Sequence, residues 1–386
     1  MHDHPCLGNR REFLKTAGAL GVGLGLLPHW GFAREVKSPA SADVGIARGS
    51  NMEEAVRRAV ALAGGMDFIK EGQTVLIKPN VTGALKSPTT TNPEVLYAVI
   101  KLAAERGPKR IIVADRSFSP LFVDTTPKTI DVMKRVGHLD AVNQAKSDVK
   151  APVVAVGLED APEELERLGR PKGTAHWRTI KPEGAKHWPN GFELAELLFA
   201  VDHVINVPVV KTHFQAWFTM SMKAFVGMSH HRSRREFHAT FANNDLFDQK
   251  RLKSKRRRGI KEDPEAEAKE VYPLVARIAE LNLGITPALN ILDGSKSFVF
   301  GGPSNGDTAE PKLAIASRDR IAADATGVAV LKSIGTEDRL QNRSVWETPF
   351  LKHGIKIGLG IDSVAKLNLK QQGLDADIEK IRKMLV

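Results

Sequence analysis

Short apolar runs of strand length alternate with helix-length segments in the region that follows residue 43. Residues 74–78 and 110–114 are two such runs, and the segment between them holds Asn92-Pro93 and, later, Gly107. A proline at the first helical position and a glycine just past the end are typical helix boundaries. Strand, helix and strand at this spacing predict a parallel sheet that is covered by helices, which is the α/β class.

The same alternation continues to residue 333. A helix is predicted over 319–333, and Ser50 followed by Glu53 predicts a capping box for a helix that ends at Leu62. Residues of about 120–200 and 229–270 are expected to be insertions, irregular or polar, that form a cap over the sheet. We therefore expect one domain over 43–386, α/β in class, with helices on both faces of a mostly parallel sheet. Further strands are predicted at 44–47, 204–207, 289–292 and 313–316.

Residues 1–33 have the arrangement of an export signal. Arg10-Arg11 precedes an apolar, glycine-rich run at 17–27, and Gly31-Phe32-Ala33 offers a small-residue cleavage site. The run is shorter than the roughly 20 residues that a membrane-spanning helix needs. The arginine pair predicts a twin-arginine signal peptide. The alternative is an ordinary amphipathic helix, which the glycines disfavour.

Several expectations follow from this signal. The twin-arginine translocation machinery would be a partner, the location would be periplasmic or secreted, residues 34–42 would be a linker, and no transmembrane anchor would be present. The single cysteine, Cys6, lies inside the predicted signal. The chain after residue 33 therefore has no thiol for a disulfide, for catalysis or for a cysteine-ligated iron–sulfur cluster.

The net charge of the chain and the absence of three known motifs limit the functions that the sequence supports. The formal net charge of +11 favours anionic partners. No G-x-S-x-G elbow, Walker loop or strand-associated G-x-G-x-x-G occurs, so serine-hydrolase, P-loop and dinucleotide functions lose their usual support. The basic run at 251–258 has no interleaved aromatic residues, and we expect a solvated loop there and no nucleic-acid partner. Contact with anionic lipid or polysaccharide is the alternative.

Charged residues directly follow four of the apolar runs. Because ligands of open α/β sheets bind beyond the carboxyl ends of the strands, these residues predict one shared polar site. The alternative is that the strands simply exit into solvent, where such side chains are commonly found. The four residues are Lys78, Asp115, Lys211 and Asp293, and the nearby candidates for substrate binding are Asn80, Thr212, Lys223 and Gly294.

The residue types at this site suggest separate roles. Lysine binds anions as a point charge, so the lysines would hold a phosphate or carboxylate group. Asp115 and Asp293 could act as a base or hold a divalent cation, and His213 could transfer a proton near neutral pH. Asp115, His213 and Asp293 would then be the ligands of a possible divalent metal.

Four histidines lie close together in the sequence, which also bears on metal binding. They could bind a transition metal. None of their spacings is that of the H-E-x-x-H zinc motif, however, so the alternative is that they are surface histidines without a metal. They are His213, His230, His231 and His238.

Five stretches of the sequence form a pattern in a fixed order. They are Val75-Leu76-Ile77-Lys78-Pro79-Asn80, Val204-Ile205-Asn206-Val207-Pro208-Val209-Val210-Lys211-Thr212-His213, Met222-Lys223-Ala224-Phe225-Val226-Gly227-Met228, Ile291-Leu292-Asp293-Gly294 and Arg318-Asp319-Arg320-Ile321-Ala322-Ala323-Asp324-Ala325. Together they resemble the bacterial and archaeal family catalogued as domain of unknown function 362. Some members of that family carry cysteine-rich, ferredoxin-like segments, so the resemblance implies a redox partner. This chain departs from the family in having no cysteine after residue 33, in Lys223-Ala224 where Lys-Asn is usual, and in Arg320 where Val is favoured.

Three functions remain open from the sequence. The preferred one is an enzyme that acts on a small anionic substrate, phosphorylated or carboxylated, at the strand-end site. A non-catalytic periplasmic protein that binds an anion or a metal would use the same residues. A redox-associated protein that works with a separate iron–sulfur partner is the third. The sequence does not choose between hydrolysis, group transfer and redox chemistry.

Overall fold

The computed structural model describes residues 38–117, 128–159, 161–238 and 264–386. Residues Val36–Val386 form one compact unit. Its centre is an eight-stranded sheet in the order β14-β1-β13-β10-β7-β2-β3-β4. The strands are β1 (Ala42–Ala47), β2 (Thr74–Pro79), β3 (Arg110–Asp115), β4 (Val153–Gly157), β5 (Trp177–Ile180), β6 (Phe192–Ala195), β7 (His203–Val207), β8 (Lys211–His213), β9 (Trp217–Thr219), β10 (Leu289–Gly294), β11 (Ser297–Gly301), β12 (Gly306–Ala309), β13 (Leu313–Ser317) and β14 (Leu367–Gln372).

Helices cover both faces of this sheet. Strand residues alternate between the faces, so Ile77 packs with the helices on one side while Leu76 packs with those on the other. Within the described ranges, no helix combines the length and the apolar composition needed to cross a membrane. The helices are α1 (Met52–Leu62), α2 (Pro93–Ala104), α3 (Thr129–Arg135), α4 (His138–Asp148), α5 (Pro162–Arg167), α6 (Ser221–Ala224), α7 (His231–His238), α8 (Pro264–Leu281), α9 (Arg320–Ser333), α10 (Asp338–Gln341), α11 (Pro349–Lys356) and α12 (Ile378–Leu385).

The main sheet is mostly parallel. Only β13 among its eight strands runs against its neighbours, β1 and β10. The central strands β10, β7, β2, β3 and β4 are all parallel. The predicted α/β class is confirmed, and the carboxyl ends of β2, β3 and β10 therefore lie along the same edge of the sheet.

The start of α1 differs by one residue from the predicted capping box. The N-cap is Asn51, whose Oδ1 accepts a hydrogen bond from the backbone N–H of Glu54 at 2.9 Å. The Glu54 carboxylate in turn accepts from the backbone N–H of Ser50 at 2.6 Å. Asn is at least as strong an N-cap as Ser, so the helix begins after Asn51, and the prediction of Ser50 with Glu53 was wrong.

The region predicted as irregular between 120 and 200 contains regular structure. It holds α3, α4 and β4, and β4 pairs with β3 as the edge strand of the main sheet. The strand β4 was not predicted, because its short apolar run is followed by a Pro- and Gly-rich sequence that is typical of irregular structure. Several expectations fall on residues outside the described ranges: the signal over 1–33, residues 34–37 of the linker, part of each expected insertion, and the basic run at 251–258.

Candidate functional site

A small cavity of about 50 Å³ lies at the carboxyl ends of β2 and β3. Its walls come from the loop after β2, the end of β3, the β8–β9 hairpin, and the segment from α6 to α7. The polar side chains that line it are Asn80, Thr82, Asp115, Arg116, His213, Thr219, Lys223 and Arg234. We call it the Lys223 cavity. Four of the residues that the sequence singled out thus share one cavity: Asn80, Asp115, His213 and Lys223.

A buried ion pair forms the floor of the Lys223 cavity. The ammonium of Lys78 lies 3.1 Å from Oδ1 of Asp115, and both side chains are almost fully buried. Lys78 Nζ also donates to the carbonyl of Pro79 at 2.8 Å, and Asp115 Oδ2 accepts from the backbone N–H of Val81 at 2.8 Å. Burial lowers the pKa of Lys78, and the Asp115 charge opposes that effect. Only Asp115 of the pair reaches the cavity wall.

Lys223 lies on α6 and is partly exposed to the cavity. Within the part of the chain that the structure describes, its ammonium has no hydrogen bond or ion pair. Burial lowers the pKa of Lys223 to about 8, and the charge of Arg234 adds to this effect. The group is therefore a cation without a protein counterion, close to its titration point at neutral pH.

Asp324, on α9, fixes the position of α6. Its carboxylate accepts hydrogen bonds from the backbone N–H groups of Ser221 at 2.6 Å and Met222 at 3.1 Å. Burial raises the pKa of Asp324 to about 7, although these hydrogen bonds favour the ionised form. Sequence reasoning gave this residue no role, yet it lies inside the last of the five quoted stretches, and that was the available signal.

Arg234, on α7, supplies a second cation to the cavity. The guanidinium is buried and donates to four backbone carbonyls at 3.0–3.2 Å. Burial lowers the pKa of Arg234, the Arg116 charge lowers it further, and Asp115 and Glu159 oppose this. Sequence reasoning missed Arg234 because it lies in a region taken for a polar insertion. The four carbonyls belong to Ser229, Ser117, Arg116 and Gly227.

His213 is held in one tautomer. Its Nδ1 accepts hydrogen bonds from the backbone N–H groups of Gln215 at 3.2 Å and Ala216 at 3.1 Å. A neutral ring that accepts at Nδ1 carries its proton on Nε2. Thr219, which the sequence did not single out, also lines the cavity, and its buried hydroxyl has no hydrogen-bond partner among the described residues.

Lys211 and Asp293 do not line this cavity. Lys211 is the first residue of β8 rather than the end of a sheet strand, because β7 stops at Val207. Its Nζ donates to the carbonyls of Thr89 at 2.6 Å and Pro303 at 3.0 Å. Burial lowers the pKa of Lys211 well below its ordinary value; the Lys223 charge acts in the same direction, and the Asp293 charge opposes it.

The Asp293 carboxylate stabilises local turns. One oxygen accepts from the backbone N–H of Asn92, the N-cap of α2, at 2.7 Å, and the other accepts from that of Ser295 at 2.9 Å. Burial raises the pKa of Asp293, against these hydrogen bonds. Thr212 donates to the Phe298 carbonyl at 3.2 Å, and Gly294 packs against Leu313, so neither lines the cavity.

The proposed metal ligands are not brought together as one group. Asp115 and His213 line the cavity, but Asp293 does not. The rings of His230 and His231 lie 4.0 Å apart, and His230 Nδ1 is 2.8 Å from a Glu193 oxygen. The side chain of His238 lies outside the described part of the structure.

Fold and cavity define an α/β protein with a cation-rich pocket at the carboxyl ends of parallel strands. Residues 75–329 match the family described as Domain of unknown function (DUF362), and the chain belongs to that family. The resemblance noted in the sequence is thereby confirmed.

The chain is also similar to one curated protein and to one solved structure. The chain is 26% identical over 264 residues to the Thylakoid-associated protein sll1697 of Synechocystis sp., covering 68% of this chain and 64% of the relative. The lactate racemase apoprotein from Thermoanaerobacterium thermosaccharolyticum is similar at a TM-score of 0.36 and 15% identity, covering 74% of this chain and 57% of that one. The chain spans less than two thirds of the length of each.

Proposed function

We propose that this protein is an enzyme whose substrate places a carboxylate or phosphate group in the Lys223 cavity. The observation that carries the proposal is the ammonium of Lys223, which faces the cavity with no counterion among the described residues. Arg234 adds a second positive charge, and the free hydroxyl of Thr219 adds a hydrogen-bond donor. Because Lys78 neutralises Asp115, the cavity keeps a surplus of positive charge that an anionic group would balance.

Two groups in the cavity can move protons. His213 lines the cavity, and because its Nδ1 accepts from the backbone, its neutral ring carries a proton on Nε2. Lys223, with a pKa of about 8, can accept or release a proton near neutral pH. The proposed chemistry is therefore acid–base chemistry next to a bound anionic group, with Lys223 and Arg234 orienting that group.

The test is binding of phosphorylated and carboxylated compounds, screened by thermal stabilisation and followed by titration calorimetry. We expect Lys223→Met to weaken binding of any hit at least about tenfold, because the substitution removes the uncompensated cation. Binding to the wild type should weaken as pH rises above about 8, by up to about tenfold per pH unit, because the anion needs the protonated ammonium.

A matched control is Lys150→Met, which removes an exposed lysine far along the chain from this cavity. This variant should bind like the wild type and keep the same pH dependence. Equal affinity in Lys223→Met and the wild type, or binding that is independent of pH between 7 and 10, would count against the proposal.

A non-catalytic anion-binding protein is the second candidate, and the cavity size favours it. A volume of about 50 Å³ fits a single small anionic group, which is all that binding requires. His213→Gln separates the two functions. Unchanged affinity with loss of turnover would support the enzyme, whereas loss of affinity alone would support the binder.

We also propose that residues 1–33 direct export through the twin-arginine machinery to the periplasm or beyond. The support is the order of Arg10-Arg11, the apolar run and Gly31-Phe32-Ala33. We expect a double Arg10→Lys, Arg11→Lys variant to stay uncleaved in the cytoplasm of a bacterial host, as measured by cell fractionation and N-terminal sequencing. Export and cleavage of this variant at the wild-type level would refute the proposal.

A further inference from the structure

A second polar cluster lies outside the Lys223 cavity and shares no residue with it. Its members come from three separate segments: His187 from the loop before β6, Glu280 from α8 and His353 from α11. One ligand atom from each lies within 4.8 Å of the other two. A metal ion needs at least three His, Cys, Asp or Glu side chains close together. Among the residues that the structure describes, His187, Glu280 and His353 are the one such group.

The Glu280 carboxylate is at the centre of this cluster. Oε2 accepts from the backbone N–H of His187 at 2.9 Å, which orients the group. Oε1 lies 2.7 Å from Nδ1 of His187 and 3.3 Å from Nε2 of His353. Around a tetrahedral zinc ion with ligands at 2.0–2.2 Å, neighbouring ligand atoms lie about 3.3 Å apart. The His353–Glu280 separation equals that of a loaded site, whereas the His187–Glu280 hydrogen bond would have to open by about 0.6 Å to admit the ion.

His353 gives an independent indication of a ligand. The residue is buried, and its Nε2, which points at Glu280 Oε1, makes no hydrogen bond among the described residues. Its nearest polar neighbour is the Glu280 carboxylate at 3.3 Å, a contact that lies outside hydrogen-bond geometry, so a bound ion would satisfy this nitrogen better. The other ring nitrogen, Nδ1, is 2.9 Å from the phenol oxygen of Tyr272. Metal-binding histidines commonly donate their second ring N–H to such an oxygen, which leaves the first nitrogen for the ion.

We infer that His187, Glu280 and His353 bind one Zn²⁺ ion. Two imidazoles and one carboxylate match the hardness and the coordination number that zinc accepts from proteins. The side chain of His187 is 32% exposed, so the ion can enter from solvent. The bound ion would join the loop before β6 to α8 and α11.

The experiment is zinc titration of the chelator-stripped full chain against a chromophoric competitor. His2, His4 and Cys6 could also bind zinc, so the quantity compared is the number of equivalents in variant and wild type. We expect His187→Ala and Glu280→Gln each to bind one equivalent fewer than the wild type. Zinc should also raise the melting temperature of the wild type by more than that of either variant.

Further variants complete the test. His203→Ala replaces another partly buried histidine, outside the cluster, and should keep the wild-type number of equivalents. Tyr272→Phe should keep the site but weaken it about tenfold, as expected for a residue that positions His353. Because His187 lies on a loop and is partly exposed, its variant should fold even if Glu280→Gln does not. Equal numbers of equivalents in the wild type and in His187→Ala would overturn the inference.

The outcome is independent of the proposed function. The readouts are metal stoichiometry and melting temperature, and neither depends on Lys223 or on turnover. Loss of anion binding in Lys223→Met with intact zinc binding would separate the two proposals, and so would the reverse result.

Discussion

Gly227→Ala is expected to displace the Asp115 carboxylate and to lower the free energy of unfolding by about 3 kcal/mol, the size of effect seen when a buried ion pair is broken. A Cβ at position 227 would lie 1.9 Å from Asp115 Oδ1 and 2.8 Å from its carboxyl carbon. The carboxylate cannot easily retreat, since its other oxygen is bonded to the backbone of Val81 and Lys78 lies 3.1 Å from Oδ1. The backbone of Gly227 is also fixed, because its carbonyl accepts from the N–H of Arg116 at 3.1 Å.

The measurement is urea unfolding with linear extrapolation, together with the anion titration. Gly227 and Asp115 both line the Lys223 cavity, so displacing the carboxylate would distort the cavity wall, and anion binding should fall as well. Gly83→Ala is the matched control, because its Cβ would meet nothing within 4 Å and its φ is not positive. We expect that variant to stay within about 0.5 kcal/mol of the wild type. A Gly227→Ala protein with wild-type stability and anion affinity would show that the cavity tolerates the extra carbon.

The sequence predicted the sheet better than it predicted the partners of the charged residues. Apolar runs such as 74–78 and 110–114 reveal strands because a strand with both faces covered must be apolar almost throughout. Lys78 and Asp115 end two adjacent parallel strands, so their closeness follows from the sheet order. Lys211 and Asp293 follow apolar runs in the same way, but their partners are loop carbonyls and N–H groups, which no sequence period specifies.

The residues that sequence reasoning missed lie outside the regular alternation. Thr219 is in a short hairpin strand and Arg234 is in a helix after the strand-end motif, so neither follows a run that marks a strand end. Tertiary folding alone brings them to Asp115 and Lys223. The cluster of His187, Glu280 and His353 was missed for the same reason, because its members are separated by 93 and 73 positions along the chain. Closeness in the sequence instead favours His230 and His231 as metal ligands.

Arg234→Met is expected to lower the free energy of unfolding by at least about 3 kcal/mol and to weaken anion binding. The guanidinium donates to four carbonyls, two in the segment after β3 and two in the turn between α6 and α7. Each buried carbonyl left without a donor costs about 1–3 kcal/mol, and water that enters the cavity would recover only part of the total. The same substitution removes one of the three cationic side chains that line the cavity.

Arg234→Lys distinguishes charge from geometry. Lysine keeps the positive charge but has three donors on a flexible stem, so it cannot reproduce the planar fork that spans the two segments. We expect its stability to lie between those of the wild type and Arg234→Met, with anion affinity partly restored. Arg232→Met, an exposed change on the same helix, should be neutral within about 0.5 kcal/mol. Equal stability of Arg234→Met and Arg232→Met would mean that solvent replaces the guanidinium at no cost, and that α7 does not hold the cavity wall in place.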